Sequence, residues 1–532
     1  MNMTEFEGYR YVDGGVCAAQ GFQANGLNCG LNPDKNKNDL GMVFSKEPCE
    51  TAAVYTQNKV KGAPIRVTKK HLAAGNGVTH AILVNSKNAN TGNADGEKVA
   101  AETSKLAAEA LGIDEAQVVV ASTGVIGQPM PVAPFADHMK ALVDGLSESG
   151  HEKAATAIMT TDTVRKEVAV EFEIDGKKCC LGGMAKGSGM IHPNMATTLN
   201  FITSDVAISH QMIQKALDEI VKITYNCLSI DGDTSTNDMV SVMANGLAGN
   251  ATISTEEAEG FAVFKQALYI VMMNMTRMLA KDGEGATKLL ECTCKGAPDQ
   301  ETAIIVAKSV IRSPLFKCAM FGEDANWGRV LCAIGYADAD FAIDTMDVDL
   351  SSTAGTLEVC RNGAGIGAGR GGAGEKLYFY SGTIQATGGR FASGIGGSYE
   401  GRGSEIYIHG GTVSAQGGEG GAGIGGGCWT TEQDMNGINA AHDIYISGGT
   451  VTAKGGHNGA GIGGGQYVPA RDITVTGGFV TATGHYGAAI GGGRWCRGMD
   501  ITLTDATLNL STNYRSNGSD AAAVGYGDIV YK

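Results

Sequence analysis

The sequence predicts two folds joined end to end: a layered α/β or α+β domain over residues 1–362 and a parallel β-helix solenoid over 363–532. Three observations predict it. Glycine is divided unevenly, with 46 of the 79 glycines in the 172 residues from Arg361 onward, about 27% against about 9% before it, where ordinary usage is roughly 7%. The tail repeats with a near-constant period. The front part instead alternates extended apolar runs with helical stretches, the pattern of a mixed α/β core.

In the front part, 81–84, 118–121, 168–174 and 303–311 read as extended, and 97–111, 134–146, 211–225 and 256–280 as helical. The stretch 261–279 is apolar on nearly every face, which predicts a deeply buried helix. Met272, Met273, Met275 and Met278 are then core filling.

The tail units align on Gly382-Thr-Ile-Gln-Ala-Thr-Gly-Gly389, Gly411 to Gly418, Gly449 to Gly456 and Gly478 to His485, spaced 29, 38 and 29 residues apart. Ile395, Ile424, Ile462 and Ile490 recur in the same phase, and the long interval holds an insertion over 429–441. Such a unit has no partner for its apolar face until it stacks on the next, so about five stacked coils are expected. In-phase Ile and Val separate this pattern from a glycine-rich linker. In a segment this rich in glycine, the GxGxxG formed by Gly367, Gly369 and Gly372 is expected by chance and is no nucleotide signature.

Composition narrows the function. A formal charge of -15, from 41 basic and 56 acidic residues, argues against a nucleic-acid partner, because phosphate binding rests on Lys and Arg. The longest apolar run, 267–273, is far short of the roughly 20 residues that span a bilayer, so no membrane association is expected. Thirteen cysteines without a CxxC pair or an even framework (Cys179 adjoins Cys180, and Cys292 and Cys294 form a C-x-C) predict reduced thiols in a cytoplasmic protein, with no metal site.

Several polar turns invite chemistry. Ser122-Thr123-Gly124 follows an extended run, where a turn presents backbone N–H groups to an oxyanion. Gly182 to Met190 reads as a flexible loop carrying Lys186. Asp231 to Asp238 has metal-loop composition without EF-hand spacing, and Asp282 to Lys288 lacks the Gly-Lys-Ser/Thr order of a phosphate loop.

Taken together, and in this order along the chain, Ser122–Gly127, Gly182–Met190, His192-Pro-Asn-Met-Ala-Thr197, Asp231–Asp238, Asp282–Lys288 and Asp324-Ala-Asn-Trp-Gly-Arg329 resemble the glutamate N-acetyltransferase (ornithine acetyltransferase) family of arginine biosynthesis, from about Gly8 to about Gly367. The resemblance implies the layered sandwich of that family and self-cleavage between Ala196 and Thr197. It implies that Thr197 is the nucleophile, that Thr123 and Gly124 supply the oxyanion hole, and that Lys186, Glu284 and a threonine of 160–163 bind substrate, Thr161 being preferred over Thr160. The implied reaction moves an acetyl group from N2-acetylornithine to glutamate through an acyl-threonine, without a cofactor, although acetyl-CoA serves bifunctional members as donor. The cleaved α and β chains are implied to assemble as a heterotetramer. A free threonine hydroxyl is a poor nucleophile, whereas an N-terminal one carries its own base, an amine with a pKa of roughly 8.

Two departures stand out. Thr198 occupies a position where the family commonly has Met, and nothing after Gly367 resembles the family's closing segment, which would contribute an Asn and a Ser or Thr to the substrate site. Residues Gly363-Ala-Gly-Ile-Gly367 fit the family and the repeat phase equally, as expected for a fusion joined at shared sequence. The competing expectation is a structural or glycan-binding solenoid on an inactive anchor, with Tyr378, Tyr407, Tyr445, Trp429 and Trp495 either stacking on sugars or packing along the coil edge.

Overall fold

The computed structural model describes residues 3–192, 198–322, 324, 326–341, 364–367, 372–380, 383–429, 440–512 and 523–525. These divide into two compact units, 1–314 with 336–341, and 315–335 with 342–532. The boundary expected at 362/363 lies outside the described residues.

In chain order the first unit contains β1 (Arg10–Val12), β2 (Phe22–Leu27), β3 (Leu40–Tyr55), α1 (Ala63–Ala74), β4 (Val78–Asn85), α2 (Gly96–Leu111), β5 (Val118–Ser122), α3 (Ala133–Asp144), α4 (His151–Ala157), β6 (Lys166–Ile174), β7 (Lys177–Lys186), β8 (Leu199–Ser204), α5 (His210–Ile223), β9 (Met239–Ala244), α6 (Glu259–Lys281) and α7 (Gln300–Arg312). The strands form one nine-stranded mixed sheet in the order β1-β6-β7-β8-β9-β3-β4-β5, with β2 also paired to β3. A register shift between Phe44 and Cys49 bends β3, so one strand pairs with β4 along its first part and with β9 along Glu50–Tyr55.

Strand alternation divides the core. Val170, Leu181, Ile202, Val240 and Val242 meet Ile213 and Leu217 of α5 and Phe264, Leu268, Met272 and Met275 of α6. Met184, Phe201, Met239 and Met243 join a second cluster with Val84, Ala121 and α4's Ala154. Buried aliphatic and aromatic side chains of this size stabilise by about 1.5–3 kcal/mol each. Met272 and Met275 lie in the first cluster and Met278 packs against it, the core filling that the sequence predicts, whereas Met273 is half-buried and lies outside that cluster.

Two expectations are corrected. The run 303–311 is helical within α7, because Asp299 caps it by accepting from the Thr302 N–H at 2.8 Å and its buried Val306, Ser309 and Val310 recur at helical spacing. Residues 182–186 form the end of β7 and not a flexible loop: a Cβ at Gly182 would lie 2.1 Å from the Gly15 carbonyl oxygen, so glycine here permits tight strand packing.

The second unit includes the helix Pro314–Phe321 from Leu315 onward, the helix Trp327–Gly335 and the repeat. The repeat is a three-faced parallel β-helix of three five-stranded sheets. Ile395, Ile424, Ile462 and Ile490 pair in register on one face, Ile406, Ile444, Ile473 and Ile501 on the second, and Val413, Val451 and Val480 on the third. All these side chains are buried. The 38-residue interval keeps the register. Most of its insertion, 430–439, lies outside the described residues, and on its near side the Trp429 N–H donates to the Gln466 carbonyl at 3.0 Å.

The residue before each second-face isoleucine, Glu405, Asp443, Asp472 or Asp500, has φ between 50° and 54°. Short acidic side chains tolerate that left-handed conformation, which explains most of this column by backbone geometry. The tyrosines are coil-edge packing: Tyr378 stacks on Tyr407 at 4.7 Å and Tyr407 on Tyr445 at 5.0 Å, with nearly parallel rings. Trp495 likewise stacks on Tyr467 at 4.9 Å. Stacking leaves fewer free ring faces for a sugar, although Tyr378 is 49% and Trp495 51% exposed.

Backbone crowding in the solenoid is measurable by substitution. A Cβ at Gly456 would lie 1.5 Å from the Gly418 carbonyl oxygen, whereas one at Gly335 would meet nothing within 4 Å. Gly456→Ala should cost about 1–3 kcal/mol or more in urea unfolding of the full chain, and Gly335→Ala about none. Equal stability of the two variants would contradict this packing.

Candidate active site

The site is assembled where β5, β7 and α6 end. β5 is followed by Thr123, whose N–H donates to the Asn85 carbonyl at 2.9 Å, while the Ser122 hydroxyl donates to Asn85 Oδ1 at 2.6 Å. Gly124 has φ 132°, and a Cβ there would lie 2.1 Å from the Lys87 carbonyl carbon, so only glycine fits this approach. The Thr123 N–H is therefore engaged. Thr123 offers its side-chain hydroxyl, and the Gly124 N–H has no partner among the described residues.

β7 ends at Lys186, whose Nζ lies 3.2 Å from Thr123 Oγ1. The lysine is nine-tenths buried. Burial pushes its pKa below the ordinary value, against the opposing pull of Asp162, Asp238 and Glu284, with Lys166 adding to the depression. An arriving carboxylate would favour its charged form.

The next residues are fixed by backbone contacts. The Gly187 N–H donates to Asp162 Oδ1 at 2.7 Å, the Ser188 hydroxyl donates to the Asp282 carbonyl at 2.8 Å, and the Glu284 N–H donates to the Ser188 carbonyl at 2.8 Å. A Cβ at Gly189 would sit 2.2 Å from Glu284 Oε2. Glu284 is thereby brought beside this turn, in electrostatic reach of Lys186.

Asp231 accepts from the Met190, Ile191 and Asp233 N–H groups at 2.6, 2.9 and 3.0 Å, so its carboxylate closes a turn. No group of three or more metal-ligating side chains occurs among the described residues. Asn326 donates to Asp324 Oδ2 at 3.0 Å and Arg329 donates to the Leu315 carbonyl at 2.9 Å, which gives part of the 324–329 motif a local structural use.

Of the sequence-predicted residues, Thr123, Gly124, Lys186 and Glu284 converge. Thr160 and Thr161 precede Asp162, with the Thr160 N–H donating to Asp162 Oδ2 at 3.0 Å and Thr161 exposed. Ala196 and Thr197 lie outside the described residues; Thr198 follows them, buried, its carbonyl accepting from the Met239 N–H at 3.1 Å.

Sequence reasoning passed over the ionic centre beside these groups. Lys166, fully buried, donates to Asp162 Oδ1 at 2.7 Å and to Asp282 Oδ2 at 2.6 Å, and Asp282 also accepts from the Thr163 N–H and hydroxyl. Burial raises both carboxyls, but Lys186 and Lys166 outweigh it at Asp162, and the hydrogen bonds from Lys166 and Thr163 outweigh it at Asp282, so both stay below the usual range. The one available signal was Asp162 and Lys166 at i,i+4.

The ArgJ family model matches residues 23–377, and a beta helix repeat model matches 380–399, 406–428, 444–466 and 473–494. An arginine biosynthesis bifunctional protein ArgJ 1 from Clostridium acetobutylicum is 46% identical over 347 residues, covering 65% of this chain and 84% of its own length. An arginine biosynthesis bifunctional protein ArgJ from Caldanaerobacter subterraneus subsp. tengcongensis is 44% identical over 354 residues, covering 66% and 87%. A crystal structure of an arginine biosynthesis bifunctional protein argJ from Bacillus halodurans aligns at 38% identity and TM-score 0.34 over 35% of this chain and 98% of that one.

The ionic centre has a signed pH dependence. Carboxyls depressed in the folded state contribute stability that is complete above their unfolded value of about 4 and is lost as pH falls through their folded values. Lys166→Met leaves two buried carboxylates short of a partner and should cost about 3–5 kcal/mol at pH 7. That deficit should shrink on acidification toward pH 5, as the orphaned groups take up protons. Thermal unfolding of both proteins across pH 5–8 checks it; a pH-independent deficit would contradict the charge argument.

Proposed function

This chain belongs to the ArgJ family, and from that membership we propose that it is an acetyltransferase moving the acetyl group of N2-acetylornithine to glutamate through an acyl-threonine at Thr197. The reading includes a self-made cut between Ala196 and Thr197, which frees the α-amine that serves the adjacent hydroxyl as base. The hydroxyl attacks the acetyl carbonyl as its proton passes to the amine. That proton then leaves on the departing amino group of ornithine. The amino group of glutamate attacks the resulting ester, and the hydroxyl is restored as N-acetylglutamate departs.

The observation that supports this best is the Lys186 Nζ 3.2 Å from the Thr123 hydroxyl, with the adjoining Gly124 N–H unpartnered among the described residues. The last two are donors of the kind that stabilise a tetrahedral oxyanion, each worth about 3–4 kcal/mol in acyl transfer. Lys186 suits a substrate carboxylate, Glu284 a substrate ammonium, and Thr160 or Thr161 a further polar contact. Acetyl-CoA as a second acetyl donor, an assembly of two α and two β chains and a cytoplasmic location complete the proposal. Among the described residues no helix is long and apolar enough to cross a membrane. The alternative, a glycan-binding solenoid on an inactive anchor, is weakened by the mutual stacking of Tyr378, Tyr407 and Tyr445.

Intact mass of denatured wild-type protein should give chains 1–196 and 197–532, and Thr197→Ala should give one uncut chain without acetyl exchange between labelled acetylornithine and glutamate. Cleavage persisting in that variant would remove Thr197 from the mechanism. Thr123→Val should lower kcat by about 10²–10³. Lys186→Met should raise KM for acetylornithine more than it slows cleavage, and equal loss of both would contradict a binding role.

A further inference from the structure

Asp238 immediately precedes β9, and Thr198 immediately precedes β8. The two strands are parallel with Leu199 opposite Met239, so one residue back along both strands Thr198 lies opposite Asp238. The Met239 N–H bond to the Thr198 carbonyl at 3.1 Å is the rung that holds this register. Side chains alternate along a strand, so Thr198, Asn200 and Asp238 share one face of the sheet. The Asn200 amide donates to the Thr198 hydroxyl.

Two acceptors in this group are left over. Asp238 is 3% exposed and Asn200 fully buried, and among the described residues neither Asp238 Oδ2 nor Asn200 Oδ1 has a hydrogen-bond partner. A buried acceptor without a donor has lost its hydration for nothing in return and calls for an explanation. Neither atom is used in the reading above. Lys186, from the end of β7, acts electrostatically on the Asp238 carboxyl, and Asp162, Lys166 and Glu284 act in turn on Lys186. Burial pushes the Asp238 carboxyl well above the usual carboxylate range, against the opposing pull of Ser235 and Lys186.

We propose that Asp238 Oδ2 and Asn200 Oδ1 form a receptor for one primary amino group, which supplies the N–H donors both atoms lack. A compact ammonium or amine with two or three N–H bonds can satisfy two neighbouring acceptors, where a hydroxyl, with one, satisfies a single acceptor. Two sources carry that chemistry. One is the chain amine that a cut before residue 197 would release, one residue from Thr198 in sequence. The other is the free amino group of acetylornithine or glutamate. In both cases Asp238 and Asn200 act by positioning, and the proposal rests on the acetyltransferase reading for its kinetic arm.

The test compares wild type, Asp238→Ala, Asp238→Asn and Asn200→Ala in cleavage, by intact mass, and in steady-state acetyl exchange. If the chain amine is held, Asp238→Ala lowers kcat at least tenfold while KM for acetylornithine and for glutamate stays within twofold. If a substrate amine is held, the KM of that substrate rises at least tenfold with little change in kcat. Either way Asp238→Asn, which keeps an acceptor oxygen of the same shape, recovers at least a third of the lost activity, and Asn200→Ala carries the same pattern should Asp238→Ala not fold. Wild-type kinetics in both alanine variants, or an Asp238→Asn no better than Asp238→Ala, overturns the receptor. A wild type without exchange activity defeats the parent reading instead, and the receptor is then read from thermal unfolding. Methylammonium chloride should stabilise wild type more than tetramethylammonium chloride at equal ionic strength, and a margin that survives in Asn200→Ala overturns it.

Discussion

The geometry around Thr123 and Lys186 depends on a single buried cation. Lys166 holds Asp162 at 2.7 Å and Asp282 at 2.6 Å, and each of those carboxyls organises a different segment. Asp162 takes the N–H groups of Thr160 and Gly187, which fixes the 160–163 turn and the exit from β7. Asp282, at the end of α6, takes Thr163, and its carbonyl takes Ser188. Three segments distant in sequence are thus located by one ammonium group. Buried ion pairs seldom add much stability over a packed apolar alternative, and their value lies in defining one arrangement. Here the arrangement is the one that sets Lys186 against the Thr123 hydroxyl.

The two units bury their interiors by different means, and this decides what each tolerates. In the first, strands and helices interlock through large side chains such as Phe201, Phe264 and Met272, so shape is carried by side-chain volume. In the solenoid the coils approach until backbone carbonyls fill the space a Cβ would take, and the inward positions need only Ile, Val or Ala in phase. Outward positions are less constrained: Tyr378, Tyr407 and Tyr445 are succeeded in the same column by Thr474 and Thr502.

The solenoid was legible because its signal is periodic. Four in-phase isoleucines place the strands, and the insertion between Ile424 and Ile462 leaves the phase unchanged. Long helices such as α5 and α6 were legible for the same reason. The run 303–311 was misread because a short β-branched stretch carries no usable period, and its Asp299 cap lies outside it. Gly182 and Gly183 suggested a loop because glycine marks both flexibility and close approach, and only the Gly15 carbonyl beside Gly182 distinguishes them. At the site, Thr123, Gly124, Lys186 and Glu284 were legible through ordered motifs. The Lys166–Asp282 pair was not, since its partners are 116 residues apart and no local pattern records such a contact. Asp238 sat in a motif already singled out, but its burial and its unpartnered oxygen exist only in three dimensions.

The junction follows from the same physics. The family match runs to residue 377, yet Ile366 and Gly367 already pair in parallel with Ile395 and Gly396, and Leu377 with Ile406. One stretch satisfies both patterns because a solenoid coil asks little of its sequence: small residues where carbonyls approach, and an apolar residue in phase. What the first coil must also do is end its sheets. Among the described residues its strands stand first in the sheet order, and an unpaired edge there would invite association. In the column that later coils fill with Glu405, Asp443, Asp472 and Asp500, this coil carries Lys376, also left-handed at φ 59°. A lysine at an edge strand resists further strand addition, because docking another coil would cost the hydration of its ammonium. The column's one basic residue thus stands where the stack needs a terminus.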